Sequence, residues 1–498
     1  MNVNPITRLD YPDPDVIRVE DTYYMVSTTM HFMPGCEILQ SFDLVHWEHV
    51  TYVYETLDHT DAQQLKSGQN IYGQGMWAAS LRYHEGRFYI CFVANDTRKT
   101  YLYTSEKIDG PWKKQLIEGF YHDGSLLFDE DGRNYIVYGN DEIWITELNE
   151  DLTAPKKDGL HRLLVSDHKN PELGYEGSHI QKINGYYYIF LVHSLRDRWM
   201  RTEACFYSDS LEGEFTGGDV LCDDRGYCGQ GVAQGGIVDT PDGKWYAMLF
   251  QDSGAVGRIP ILLPVTWKDH FPIFGQNGHV PEEIEVHSTR PGYIYQPLVG
   301  SDDFCNGLLP RWQFNHDPDP RYYHLDALQG TYTITTREVC TELTQAVNTL
   351  TQRMSYPSCA AEVTVDASAL KEGDVAGLCA LQGCYAAVGI TKHHGKYEVL
   401  MLDKKEDGIL DMTEGTVVES HQMDFRLEAD FCNMKDEARC YYRVNKGDWL
   451  PIGTVHKLYF KLDHFTGCRF GLFCYAAEET GGSACFRDFK YYDVDEIS

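Results

Sequence analysis

The chain has 498 residues, longer than a single hydrophobic core usually serves, so two domains are expected. Hydrophobic residues make up 43 % and charged residues 24 %, which excludes a disordered chain. Lys and Arg number 43 against 75 Asp and Glu, a net charge of −32; this argues against nucleic acid or an anionic membrane as partner and leaves a neutral ligand unaffected.

The N-terminal stretch "MNVNPITRLDYPDPDV" has neither the basic nor the apolar region of a signal peptide. No later segment approaches the ~20 apolar residues of a membrane span, so a cytoplasmic protein is expected. Within "DYPDPD", Asp13 stands between Pro12 and Pro14. Pro14 biases Asp13 towards an extended backbone and both rings stiffen the stretch, a mount suited to an acid that must aim at a water. An ordinary Asp–Pro turn accounts for the same residues equally well.

Five segments then repeat one grammar of short strand, turn and aromatic strand, often with a third strand. They are "PDPDVIRVEDTYYMVSTT", "MWAASLRYHEGRFYICFVA", "HDGSLLFDEDGRNYIVYG", "YEGSHIQKINGYYYIFLVHS" and "AQGGIVDTPDGKWYAMLF". Turns such as "HEG", "DEDG" and "ING" between hydrophobic runs are hairpin signals. Meanders repeated every ~45 to 65 residues predict propeller blades, because a lone meander cannot cover both of its faces. An all-β fold with a five-bladed β-propeller is expected over residues 1–295. In a propeller the first strand of each blade lines the channel, and those starts carry Asp13, Trp77, Asp123, Glu176 and Gln234.

Glu is depleted in strands, yet Glu176 opens a β-rich run with no helix to cap. Two carboxylates across a glycosidic bond, one protonated and one ionised, are the minimal machinery for its hydrolysis, and a third nearby charge raises the proton affinity of the acid. Arg258, in "GAVGRIPILLPV", could bring a guanidinium to the channel mouth, though a surface arginine is the commoner case. Trp77 could be a stacking wall or a buried aromatic. His31 and Phe32, in "TTMHFMPG", fall on an expected loop that could rim a pocket.

After residue 300 alternating strands follow, from "GTYTITT" through "KLYFKL" to "ACFRDFKYYDV", and predict a β-sandwich over 296–498. The 15 cysteines, an odd number, sit largely in apolar strand patterns and are expected as reduced thiols. No C-x-x-C occurs, and the pairs Cys222/Cys228 and Cys379/Cys384 lack zinc spacing. No G-x-G-x-x-G, G-x-S-x-G or H-E-x-x-H is present, which removes the commonest nucleotide-binding, hydrolase and metalloprotease signatures.

The five repeats, with "NPITRLDYPDPDVIRVEDTYYMVSTT", "SFDLVHWE" and "GAVGRIPILLPVTW", resemble glycoside hydrolase family 43 over essentially the full length. The group resembled comprises β-xylosidases and α-L-arabinofuranosidases, with a propeller followed by a concanavalin-like or jelly-roll sandwich. The resemblance implies Asp13 as general base, Asp123 as the residue that tunes and orients the acid, and Glu176 as general acid. It further implies substrate binding by Arg258 and Trp77. The reaction implied is inverting, exo-acting release of β-D-xylose, α-L-arabinofuranose or both from xylo-oligosaccharides or arabinoxylan fragments. An endo-arabinanase and a catalytically silent glycan-binding propeller are the alternatives. No cofactor is implied for catalysis. Relatives hold a metal near the His of a G-H-G motif, whereas this chain has Gln234 in "AQGG", which leaves a structural calcium open. A homo-oligomer is compatible with the sequence.

Overall fold

The computed structural model describes residues 2–461 and 465–493. Five four-stranded antiparallel meanders follow one another along the chain. Their first strands are Asp15–Val19, Met76–His84, Ser125–Phe128, Glu176–Ile183 and Val232–Asp239. Each touches the next and the fifth touches the first, so they form a closed ring around a channel, as expected of a five-bladed propeller. The hairpins follow from their turns: Glu85-Gly86 and Asn184-Gly185 have left-handed backbone at both central positions, the twist a two-residue turn needs.

Every seam between blades has its own apolar layer. Ile38 meets Phe92 between the first and second blades, Leu102 meets Ile136 at the next, and Val137 meets Leu191 at the third. Phe190 with Leu263, and Met248 with Leu39, complete the circle. Each such side chain contributes about 1.5–3 kcal/mol on burial, and no blade is covered without both neighbours. Asn4 stitches the N-terminus to the last blade: its amide donates to the carbonyl of Leu262 at 2.7 Å and its side-chain oxygen accepts from the Leu262 N–H at 3.0 Å.

The C-terminal part is two packed sheets, one of seven strands and one of nine, with Phe314, Leu378, Val388, Phe425 and Phe486 in the core between them. The nine-stranded sheet includes Phe32–Met33, a strand from within the first blade, paired with Gln313–Asn315. The segment "KLYFKL" does not form the expected strand. The strand is Leu450–Lys457, and Leu462 lies outside the described residues. All 15 cysteines are unpaired thiols. No helix among the described residues is long and apolar enough to cross a membrane.

Candidate active site

The inner strands are irregular where they begin. Register shifts fall between Met76 and Ala79, between Glu176 and His179, and between Ala233 and Gly236. Asp13, Asp123 and Gln234 have left-handed backbone, with φ of 52°, 47° and 63°. Bulges and left-handed residues bend a strand end and re-aim its side chains. The expected extended conformation at Asp13 is therefore not found; Asp tolerates the left-handed region, and the Thr28 N–H to Pro12 carbonyl bond closes the turn around it.

The five blade-start residues meet in one cleft of about 220 Å³ at one mouth of the channel. His122, Asn140, Arg201, Arg258 and Phe465 complete much of its lining. Asp13 is buried and both of its oxygens accept: Oδ1 from the Arg258 guanidinium at 2.6 Å, Oδ2 from the Thr28 hydroxyl at 2.5 Å. A second carboxylate, Asp252, pairs with Arg201 and lies 3.3 Å from the Nε of Arg258. The two arginines are thus held in place by paired charge, as buried guanidinium groups must be.

Asp123 and Glu176 have no such arginine. Asp123 Oδ2 accepts the Gly177 N–H at 3.0 Å, and Glu176 Oε2 accepts the Asn140 amide at 2.9 Å. His122 Nε2 lies between them, 3.5 Å from Glu176 and 3.6 Å from Asp123. Burial, aided by the charges of Glu176 and Asp13, pushes Asp123 up to about 6. Burial alone would lower His122, but Asp123 and Glu176 outweigh it and push the imidazole up to about 9. Burial likewise works to raise Glu176, yet His122, Arg201 and Arg258 hold it below its ordinary value. In the free protein at neutral pH the imidazole is charged and Glu176 is ionised.

Trp77 lines the cleft as one of its walls, its edge against His122 and against the ring of Phe465, which comes from the sandwich. His31 and Phe32 do not line it. Both are fully buried; His31 packs against Tyr72 and His316, and the guanidinium of Arg469 sits over the Phe32 ring. Local loop composition carried no sign of the sandwich strand that covers them. His122, Asn140, Arg201 and Phe465 were not singled out from the sequence. His122 had one signal, its place beside Asp123 at a blade start; the other three reach the cleft from later strands or from the other domain.

Among the described residues one set of three His, Cys, Asp or Glu side chains gathers closely enough to share an ion, and it is His122, Asp123 and Glu176. Gln234 lines the same cleft, and its N–H binds the buried carboxylate of Glu203 at 2.7 Å. No step below is routed through a metal.

The family model described as glycosyl hydrolases family 43 matches residues 3–272, and that of the β-xylosidase C-terminal concanavalin A-like domain matches residues 301–492. A β-xylosidase from Formosa agariphila is 27 % identical over 99 % of this chain and 89 % of its own length. A xylosidase/arabinosidase from Butyrivibrio fibrisolvens is 23 % identical over 99 % of both chains. The solved structure of a bifunctional GH43-CE protein from Bacteroides eggerthii matches with a TM-score of 0.92 at 42 % identity, covering 99 % of this chain and 63 % of that one. This chain thus spans less than two thirds of that bifunctional protein. The first family model alone covers more than half of the sequence, and with it the chain belongs to glycoside hydrolase family 43 and is a glycoside hydrolase.

Proposed function

We propose that the protein removes a terminal pentose, β-D-xylose or α-L-arabinofuranose, from xylan-derived oligosaccharides by single displacement, with Asp13 as base and Glu176 as acid. The observation that carries this reading is the placement of Asp13, Asp123 and Glu176 on three blades around one small cleft. At about 220 Å³ the cleft is below the 300–1,000 Å³ typical of drug-sized ligands, room for one sugar ring. The names of the relatives, a β-xylosidase and a xylosidase/arabinosidase, support a pentose as that ring.

Arg258 and Thr28 aim the Asp13 carboxylate, so that it orients a water and takes its proton as the oxygen attacks the anomeric carbon. Glu176 gives a proton to the departing glycosidic oxygen. In the free protein Glu176 is ionised, so it must take that proton up as the sugar displaces water from the cleft; desolvation favours its neutral form. His122 Nε2, charged and 3.5 Å away, is placed to supply that proton. Asp123 anchors the backbone beside Glu176 through the Gly177 N–H and keeps a second negative charge close, which favours proton uptake there.

The test compares kcat/KM on p-nitrophenyl β-D-xylopyranoside and α-L-arabinofuranoside for wild type and Asp13→Ala. Cleavage of either by wild type and of neither by the variant supports the reading, and the ratio ranks the sugars. Proton NMR in early turnover should show the inverted anomer first; a retained anomer would remove the water-activating role from Asp13.

A further inference from the structure

Asp10 lies three residues before the base and has no part in the chemistry just described. It is buried, and each of its oxygens accepts a backbone N–H from a different domain. Oδ1 takes that of Arg258 at 2.7 Å, and Oδ2 takes that of Gly467, in the sandwich, at 2.8 Å. Arg258 is the residue whose guanidinium holds Asp13. Gly467 lies two residues after Phe465, whose ring stands 4.2 Å from that same guanidinium and 5.2 Å from the Trp77 ring. One carboxylate therefore ties the strand that carries Arg258 to the loop that carries the aromatic covering it.

The surroundings are built for this close approach. A Cβ on Gly257 would lie 2.2 Å from Asp10 Oδ1, and one on Gly467 would lie 2.0 Å from the Val256 carbonyl and 2.9 Å from the Asp10 Cβ. Only glycine lets the three backbones meet there. The Cys468 N–H adds a bond to the Ala255 carbonyl at 2.8 Å, and the Tyr11 N–H one to the Arg258 carbonyl at 2.9 Å. Arg353, which faces the site from the sandwich, donates from Nε to the backbone carbonyl of Asp10 at 2.9 Å.

We propose that Asp10 is a positioning residue for the hydrolysis: by binding both N–H groups it seats the Phe465 loop on Arg258 and so lets the sandwich complete the sugar pocket. The proposal rests on the roles given above to Asp13 and Arg258. A carboxylate accepts both N–H groups, and charge-assisted bonds of this kind are about twice as strong as neutral ones. An amide offers one oxygen and turns its NH₂ towards the other N–H, donor against donor. Asp10→Asn thus conserves shape and breaks one half of the tie.

The experiment is a double-mutant cycle in the full chain with Asp10→Asn and Phe465→Ala, read as kcat and KM on whichever aryl pentoside wild type cleaves, together with Tm. Each single change is expected to lower kcat/KM by roughly ten- to a hundredfold, the scale of a small misplacement near the reacting centre. The double variant should be no worse than Phe465→Ala within about twofold, because Asp10 acts through that ring. Losses that multiply, or a lowered Tm with kcat/KM unchanged well below it, would overturn the proposal by making Asp10 a stabilising residue only. Asp10→Ser, which leaves room for a water between the two N–H groups, is read the same way should the Asn variant not fold. Asp13→Ala is measured beside them: full activity there would unseat the base assignment on which the proposal rests, whereas an inactive Asp13 variant beside losses that multiply would fault the Asp10 proposal alone.

Discussion

The two mouths of the propeller channel are made by opposite ends of the same five inner strands, and they treat charge in opposite ways. At the far mouth the cavity is the larger, about 450 Å³ against about 220 Å³. There Arg18 grips Asp239 through two nitrogens, Arg82 pairs with Asp15 and fills its other donors with Ser125 and the carbonyl of Leu126, and Lys182 binds Asp129. At the near mouth Asp123 and Glu176 face each other with a single imidazole between them. On the proposed reading, size does not locate the chemistry in this molecule. On that reading the chemistry belongs to the smaller cleft, where Asp123 and Glu176 share one imidazole.

The largest expected effect sharpens that contrast. Glu176→Gln should lower kcat/KM on xylo-oligosaccharides by about 10²–10⁴-fold, the usual worth of a positioned proton donor, and by less on aryl glycosides whose leaving group needs little protonation. Equal retention of activity on both would sink the acid assignment. Asp13→Ala should lose comparable activity on every leaving group, because water must be activated whatever departs.

His122 gives a smaller and pH-dependent effect. Because kcat/KM reports the free enzyme, its alkaline limb should fall near pH 9, where the imidazole gives up its proton. His122→Phe should move that limb to lower pH while leaving the acid side in place; an unmoved limb would free His122 from any part in proton supply. The same group also links stability to pH. Its folded value lies above the ordinary 6.5, so its contribution is fully present below about 6.5 and is lost as pH rises through about 9. Thermal melts of wild type and His122→Phe should therefore converge as pH rises through that window.

Much of this was legible in the sequence because blade hairpins announce themselves through Gly and Asp turns, and because an acid opening a buried strand has few structural excuses. The legible part stops where partners are distant. The fourth strand of a blade, such as Lys113–Ile117, is largely exposed and has no apolar alternation, so only three strands per unit could be read. His31 and Phe32 looked like rim residues because the Gln313–Asn315 strand that buries them is some 280 positions away. Phe465 reaches Trp77 across an even longer separation. Arg201 looks like any strand-end arginine until Asp252, Trp199 and Phe250 are seen around it. The conformation of Asp13 was misjudged for a related reason: the proline rule describes a local preference, and the tertiary bonds from Arg258 and Thr28 override it.

The smallest expected effect tests the other side of the comparison. Asp239→Asn at the far mouth removes a partly exposed partner of Arg18 that bridges the first and last blades, an ion pair of a kind worth about 0–1 kcal/mol. Because Asn4 and the apolar layer between those blades also close the ring, the variant should lose no more than about that much in denaturant unfolding. Its kcat/KM should match wild type. A loss of activity approaching that of Glu176→Gln would mean that the two mouths are coupled through the inner strands, and that the paired charges at the far end help to set the geometry of the acids at the near one.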